Sequence, residues 1–482
     1  MKRVLPILAI ASLTLLACGK TPDPVPDNED NGLYDLSQVT VMRSGTISLE
    51  NFYKGLLQEA GSTNDDFDQN LYDYYAQLLN QVKKTKGDGD ANVTMSYAWT
   101  ILRYTTQDVS GNNIECSEVL VWPHNTDGPS LARNVVIGCH ITITGDDQRP
   151  SNLTNPGVSS DANLIATFAS PLSQNALVIL PDYEGYGVTR SRHHPYCNRE
   201  VTARQVVDGT KAGIAWFEKE GHKLADGWKS VAVGYSQGGA VAAGVYRYCN
   251  EHKESGLRLA GAVCGDGPYD PVATLAQYVK YGNLRMPIAA ALIIQGAVDT
   301  NPRMKQLGCT YADFCTEEFM KTGVFDWLTN KTMPTHEMNK KSFIVMGYDP
   351  DKDDVPIEKC IKPSVLAYFK DGSVDGGISA DKLLALQQCL EENSLSYGGW
   401  TPPQASGLTF FHSEQDRVVP IINLYSMEDQ WPTMGNHYST YLYTNTTNGA
   451  HASAGTMFYI MYCSGYTDAI LGGKWSSQHK IL

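Results

Sequence analysis

The segment Ser230–Gly244 constrains this chain more than any other part of it. Its apolar run Val231-Ala232-Val233 reads as a buried strand. The run breaks at Gly234-Tyr235-Ser236-Gln237-Gly238-Gly239, and the small residues from Ala240 to Tyr248 suit a helix. A strand that turns at once into a helix brings two backbones close together at the turn. Gly234 and Gly238, on either side of Ser236, permit that approach. G-x-S-x-G between a strand and a helix makes Ser236 a candidate nucleophile, held at a sharp tip beyond the strand. A serine hydroxyl is a poor nucleophile near neutral pH. It needs a histidine to take its proton and a carboxylate to orient that histidine.

The flanking sequence alternates strand and helix patterns. Val93–Thr106 and Ile114–Trp122 read as paired strands joined by a turn over Asp108–Asn113. Asn134–His140, Ala176–Leu180 and Leu259–Cys264 read as buried strands, with helices expected over Asp161–Ala169 and Val201–Glu220. This alternation predicts an α/β fold: a mostly parallel central sheet flanked by helices. Two helical patterns, Leu49–Ala60 and Phe67–Val82, lead into it.

Residues 271–401 differ. They hold helical runs (Ala273–Val279, Pro287–Ala297, Cys315–Leu328, Ile378–Glu392) and no convincing buried strand. The strand pattern resumes at Leu408–His412 and Tyr438–Tyr443, so the intervening stretch reads as a helical cap inserted between two strands. The expected division is core over 33–270 (with its helical lead-in), cap over 271–401 and core again over 402–482. The apolar stretch Gln277–Gln295 reads first as a cap helix packed on a core, and second as part of a pocket for an acyl chain.

Downstream of Ser236 the two partners are available. His412-Ser413-Glu414-Gln415-Asp416-Arg417-Val418-Val419-Pro420 follows a strand directly and offers Asp416 and Glu414 as the acid. His451 lies in a loop after the Tyr438–Tyr443 strand, with His437 and His479 as rivals for the base.

Gly234-Tyr235-Ser236-Gln237-Gly238-Gly239 and Pro181-Asp182-Tyr183-Glu184-Gly185-Tyr186-Gly187, with a helical cap ahead of the Asp416 loop, resemble the α/β-hydrolases. More narrowly, they resemble the secretory lipases of fungi and some bacteria. The resemblance runs from about Val93 to the C-terminus. It implies an α/β-hydrolase fold with a lid and the chain order Ser236, Asp416, His451 for the catalytic triad. D-x-x-V-P after the strand favours Asp416 over Glu414. The oxyanion hole would use the N–H of Gln237 and one N–H from the loop after the third strand, that of Ile141 or Thr142. Relatives carry His-Gly in that loop where this chain has His140-Ile141, so the second donor stays open between the two residues. His140 itself reads equally as a packed strand-end side chain. The implied activity is hydrolysis of small-molecule or lipid carboxylic esters, with no cofactor and no metal. A serine peptidase of the same fold would want paired acids on the cap, for which Glu317-Glu318 and Glu391-Glu392 are the candidates. A non-catalytic surface-binding lipoprotein is the third reading, and the intact Ser, Asp, His order argues against it.

Lys2 and Arg3 followed by the apolar Val4–Ala17 read as a signal peptide over residues 1–17, too short for the about 20 residues of a membrane span. Leu15-Leu16-Ala17-Cys18 resembles the lipobox of bacterial lipoproteins, with Cys18 the lipidated mature N-terminus. Residues 18–32, rich in Pro and Asp, read as a disordered tether. The expectation is an exported protein, lipid-anchored to the bacterial cell envelope and otherwise off the membrane, and a monomer. The net charge is −14, and losing Lys2 and Arg3 from the 38 basic side chains leaves −16. That charge repels nucleic-acid phosphate and anionic lipid. Of the 11 cysteines, those besides Cys18 would enter a compartment that permits disulfides; Cys309/Cys315 and Cys360/Cys389 have spacings that could close loops. No C-x-x-C or paired-His spacing points to zinc.

Overall fold

Strand alternation sets the architecture. In Val231-Ala232-Val233 the two valines face one side of the sheet and Ala232 the other, as Val136 faces opposite to Val135 and Ile137. Both faces are thus apolar, and both are covered. The computed structural model describes residues 32–60, 69–87, 96–125, 128–152, 165–166, 168, 174–404, 406–431, 437–443, 451–476 and 478–481. The expected signal peptide, Cys18 and almost all of the tether lie outside these residues, as does most of the expected helix Asp161–Ala169. No helix among the described residues is long and apolar enough to cross a membrane.

Among the described residues a ten-stranded sheet runs through the molecule. Its strands are β1 (Val39–Ser48), β2 (Ser96–Gln107), β3 (Asn113–Pro123), β4 (Asn134–Cys139), β5 (Ala176–Pro181), β6 (Ser230–Tyr235), β7 (Leu259–Gly265), β8 (Leu408–Ser413), β9 (Tyr438–Tyr443) and β10 (His479–Ile481). Their spatial order is β1-β2-β3-β5-β4-β6-β7-β8-β9-β10. β1 to β3 are antiparallel, β3 meets β5 antiparallel, and every pairing from β5 to β10 is parallel. β6 lies near the middle, between β4 and β7, with Val233 level with Gly138 and Val263.

Helices α1 (Leu49–Ala60) and α2 (Gln69–Gly87) cover one face together with the C-terminal helical run; α3 (Arg199–Lys219) and α4 (Gln237–His252) cover the other. The cap leaves the sheet after β7 and returns at β8. It contains α5 (Pro271–Tyr281), α6 (Pro287–Thr300), α7 (Thr335–Val345) and α8 (Ala380–Glu392), with shorter helices between them. The expected run Cys315–Leu328 is two helices, Glu317–Lys321 and Val324–Asn330, broken at Gly323, whose φ of +84° few other residues adopt. The cap has its own apolar core, in which Tyr278, Ile288, Leu292 and Ile294 pack with Phe314, Phe319 and Leu386. Most of the Gln277–Gln295 stretch thus serves cap packing.

The cysteines depart from the disulfide reading. Those from Cys116 onward are free thiols, including Cys309, Cys315, Cys360 and Cys389. All four are buried apolar members of the cap core, and burial pushes the thiols of Cys315 and Cys389 up to about 12.

Candidate active site

The elbow follows from close packing. A side chain at Gly238 would put its Cβ 2.0 Å from the Cys139 carbonyl oxygen, and one at Gly234 would lie 2.3 Å from that of Gly238. The loop after β4 therefore abuts the N-terminus of α4. Ser236 sits between, at φ 56° and ψ −126°, a strained conformation for a residue with a side chain. Its N–H is fixed on Gly265 O at 2.9 Å. Serine at a helix N-cap usually turns its hydroxyl onto the first turn. Here the hydroxyl makes no capping bond, so both Oγ and the first N–H groups of α4, Gln237 among them, stay available.

His451 begins α9 (His451–Met457), and its Nδ1 donates to Asp416 Oδ2. Asp416 lies in the turn after β8, 2 % exposed, and its Oδ1 accepts the N–H groups of Val418 at 2.8 Å and Val419 at 2.9 Å. Burial alone would raise its pKa. Attraction to His451, with hydrogen bonds from His451 and Asp266, outweighs burial and holds the carboxyl below the usual range. The donor role of Nδ1 leaves Nε2 as the accepting nitrogen, and Nε2 is buried with no hydrogen-bond partner among the described residues. Tyr235, next to Ser236, donates from its hydroxyl to His451 O at 2.9 Å and lays its ring against the imidazole at 4.9 Å. The elbow and the His–Asp pair are thus held by one side chain.

The rivals fall elsewhere. Glu414 is exposed. His437 bonds Pro402 O at the start of β9, and His479 pairs with Thr440 at the edge of the sheet. His140 is fully buried, stacks on Tyr183 at 3.9 Å, and faces the carbonyls of Ile141 and Asp182 with its two nitrogens. It is a packed strand-end residue. Ile141 and Thr142 follow it in the loop beside Gly238. Thr142 Oγ1 meets Tyr196 Oη at 2.9 Å, and its carbonyl accepts from cap residue Thr335 at 3.2 Å. On the other side Tyr278 of α5 donates to Val418 O. The cap is pinned to both loops that flank Ser236.

Two residues of the site escape the sequence reading. His194 donates from Nδ1 to Glu184 O at 2.7 Å, so its Nε2 accepts from the Gln237 amide at 2.6 Å. Burial pushes its pKa down to about 3 and keeps it neutral. Asp266, fully buried directly after β7, bonds the Asp416 carboxyl. A signal for it existed, since sites in such sheets gather at the C-terminal ends of strands. Asp266, Asp416 and His451 are also the one grouping among the described residues with metal-ligand spacing, and their facing atoms are already committed to one another.

Strand order, elbow and inserted cap define an α/β-hydrolase fold. Comparison with solved structures agrees. The chain is similar to the rice cell wall degrading esterase LipA from Xanthomonas oryzae (TM-score 0.62, 17% identity, 89% of this chain and 97% of that one). It is also similar to Candida antarctica lipase A in its closed state (TM-score 0.54, 13% identity, 93% and 87%). No family model and no curated protein matches the chain.

Proposed function

We propose that this protein is a serine hydrolase that cleaves carboxylic esters through an acyl-enzyme on Ser236. The observation that carries the reading is the Asp416–His451 pair, with Nδ1 committed to the carboxylate and Nε2 left to accept, on a residue whose carbonyl is held at 2.9 Å by Tyr235, the neighbour of the strained Ser236 at the tip of β6. His451 Nε2 takes the Ser236 proton as Oγ attacks the ester carbonyl. The oxyanion falls to the N–H of Gln237 and that of Ile141 or Thr142. The imidazolium, balanced by Asp416, returns its proton to the leaving alcohol, and water then reverses the sequence to free the acid. No cofactor enters.

The esterase and lipase names of the similar structures favour ester over amide substrates. So does the first pair of cap acids. Glu317 and Glu318 are exposed and paired with Lys321 and Lys359, which suits a solvated surface better than an anchor for a peptide amine. Acyl p-nitrophenyl esters of graded chain length, run beside aminoacyl and peptidyl p-nitroanilides, test the reading. Turnover confined to the esters is expected, and turnover of the anilides alone would replace it with the peptidase.

From Lys2-Arg3, the apolar Val4–Ala17 and Leu15-Leu16-Ala17-Cys18 we propose in addition that the enzyme is exported and tethered by a lipid on Cys18. Cys18→Ser should release it from the membrane fraction. A wild-type mature N-terminus that begins beyond residue 18 without lipid would make the leader an ordinary signal peptide.

A further inference from the structure

The acid of the site is doubled. Asp266 stands one residue beyond β7, at a φ of +33°, and is fully buried. Facing atoms of Asp266, Asp416 and His451 all lie within 4.8 Å of one another, and the two carboxyl groups are hydrogen-bonded. Two carboxylates cannot accept from each other; a bond between them requires a proton. Their surroundings decide where it resides. Asp416 already accepts from His451 Nδ1 and from the N–H groups of Val418 and Val419. Asp266 accepts Ser413 N–H, which is shared between its two oxygens at 3.3 and 3.2 Å. The ionisable neighbours among the described residues include His412 and three tyrosines, none of them a fixed cation. His412 bonds Val419 O at 2.9 Å, and burial pushes its pKa down. Tyr269 lies near Asp266, while Tyr278 and Tyr235 hold the acid loop and the imidazole; burial pushes the phenols of Tyr269 and Tyr278 up, which keeps them neutral.

We propose that Asp266 and Asp416 share one proton, held on Asp266, and that Asp266 is a positioning residue: as a neutral acid it donates to Asp416 and fixes the carboxylate that orients His451. The proposal rests on the serine-hydrolase reading. It implies that the His451 ring faces one negative charge rather than two, and that Asp416 is steered from both sides, by the acid turn and by Asp266.

The test compares Asp266→Asn, Asp266→Ala and Asp416→Asn in the full chain, with kcat, KM and the pH profile of kcat/KM on a chromogenic ester, and with Ser236→Ala alongside. Asparagine at 266 can donate through its amide to Asp416 and accept from Ser413 N–H, and it leaves the charge unchanged. Asp266→Asn is therefore expected within about threefold of wild type, with the acid limb of the profile in the same place. Asp266→Ala removes the donor and is expected to lower kcat on the order of tenfold to a hundredfold at similar KM. Asp416→Asn is expected to be far worse than either. If Asp266→Asn moves the acid limb down by a unit or more, a carboxylate charge has been lost beside the base and the shared proton is wrong. If Asp266→Asn is crippling and Asp416→Asn mild, the two acids have exchanged roles. If Asp266→Ala matches wild type, Asp266 positions nothing. Full activity in Ser236→Ala would instead remove the underlying serine-hydrolase reading, so the two failures are distinguishable.

Discussion

Asp416→Asn keeps the size of the side chain and changes only what it can accept. The native carboxylate accepts on both sides, from His451 at Oδ2 and from Val418 and Val419 at Oδ1. An amide has one accepting atom for these two sides. If its oxygen turns to His451, its NH2 is pressed against two buried N–H groups, at about 1–3 kcal/mol for each group left unpaired. If its oxygen stays with Val418 and Val419, its NH2 faces Nδ1, which must give up its proton and accept. The ring proton then sits on Nε2, the atom that has to receive the proton of Ser236. The second arrangement keeps the hydrogen bonds to His451, Val418 and Val419 and should prevail. Its cost falls on kcat, about 10⁴-fold or roughly 5.5 kcal/mol, with folding little changed. Steady-state hydrolysis of a chromogenic ester measures the first quantity and thermal unfolding the second. Glu414→Gln, at an exposed position, should stay within about threefold. Asp416→Asn within tenfold of wild type, or a crippling Glu414→Gln, would refute this reasoning.

Gly238→Ala should destabilise by about 3 kcal/mol or more, because its Cβ would stand 2.0 Å from the Cys139 carbonyl oxygen; urea unfolding measures it. Glu118 on β3 is fully buried, neither carboxyl oxygen has a hydrogen-bond partner among the described residues, and burial followed by the nearby Asp182 pushes its pKa well up. The folded protein holds that proton more tightly than the unfolded chain. Its contribution is therefore complete below the unfolded value and is lost as pH rises toward the folded one. The Tm of wild type should accordingly fall relative to Glu118→Gln as pH is raised from 5 to 8, and parallel Tm profiles would count against it. Asp416 has the opposite sign. With its pKa depressed, its stabilisation is present above the unfolded carboxylate range and lost on acidification through the folded value, so wild type should lose Tm relative to Asp416→Asn below about pH 4.

Much of this was legible in the sequence, for identifiable reasons. β9 matches its expected range Tyr438–Tyr443, α1 matches Leu49–Ala60, and the other buried strands lie within three residues of theirs, because two covered faces demand continuous apolar runs. β1 was not legible. It is an exposed edge strand whose burial does not alternate, and Gly45 is where it passes over the Trp99 ring. β10 is three residues long and carries no pattern. In the site, Ser236, Asp416 and His451 each follow a strand in a fixed order, which a sequence displays. His194 acts through a contact between segments far apart in the chain, which no local pattern reports, and Asp266 was marked only by its place at the C-terminal end of a strand.

The central claim is that Ser236 becomes acylated. Rapid acid quench of the enzyme turning over an activated ester, followed by peptide mass mapping, tests it directly. The account predicts an acyl adduct on the peptide that contains Ser236, and neither adduct nor turnover in a folded Ser236→Ala. Turnover retained by that variant, or an adduct mapped to another residue, would contradict it.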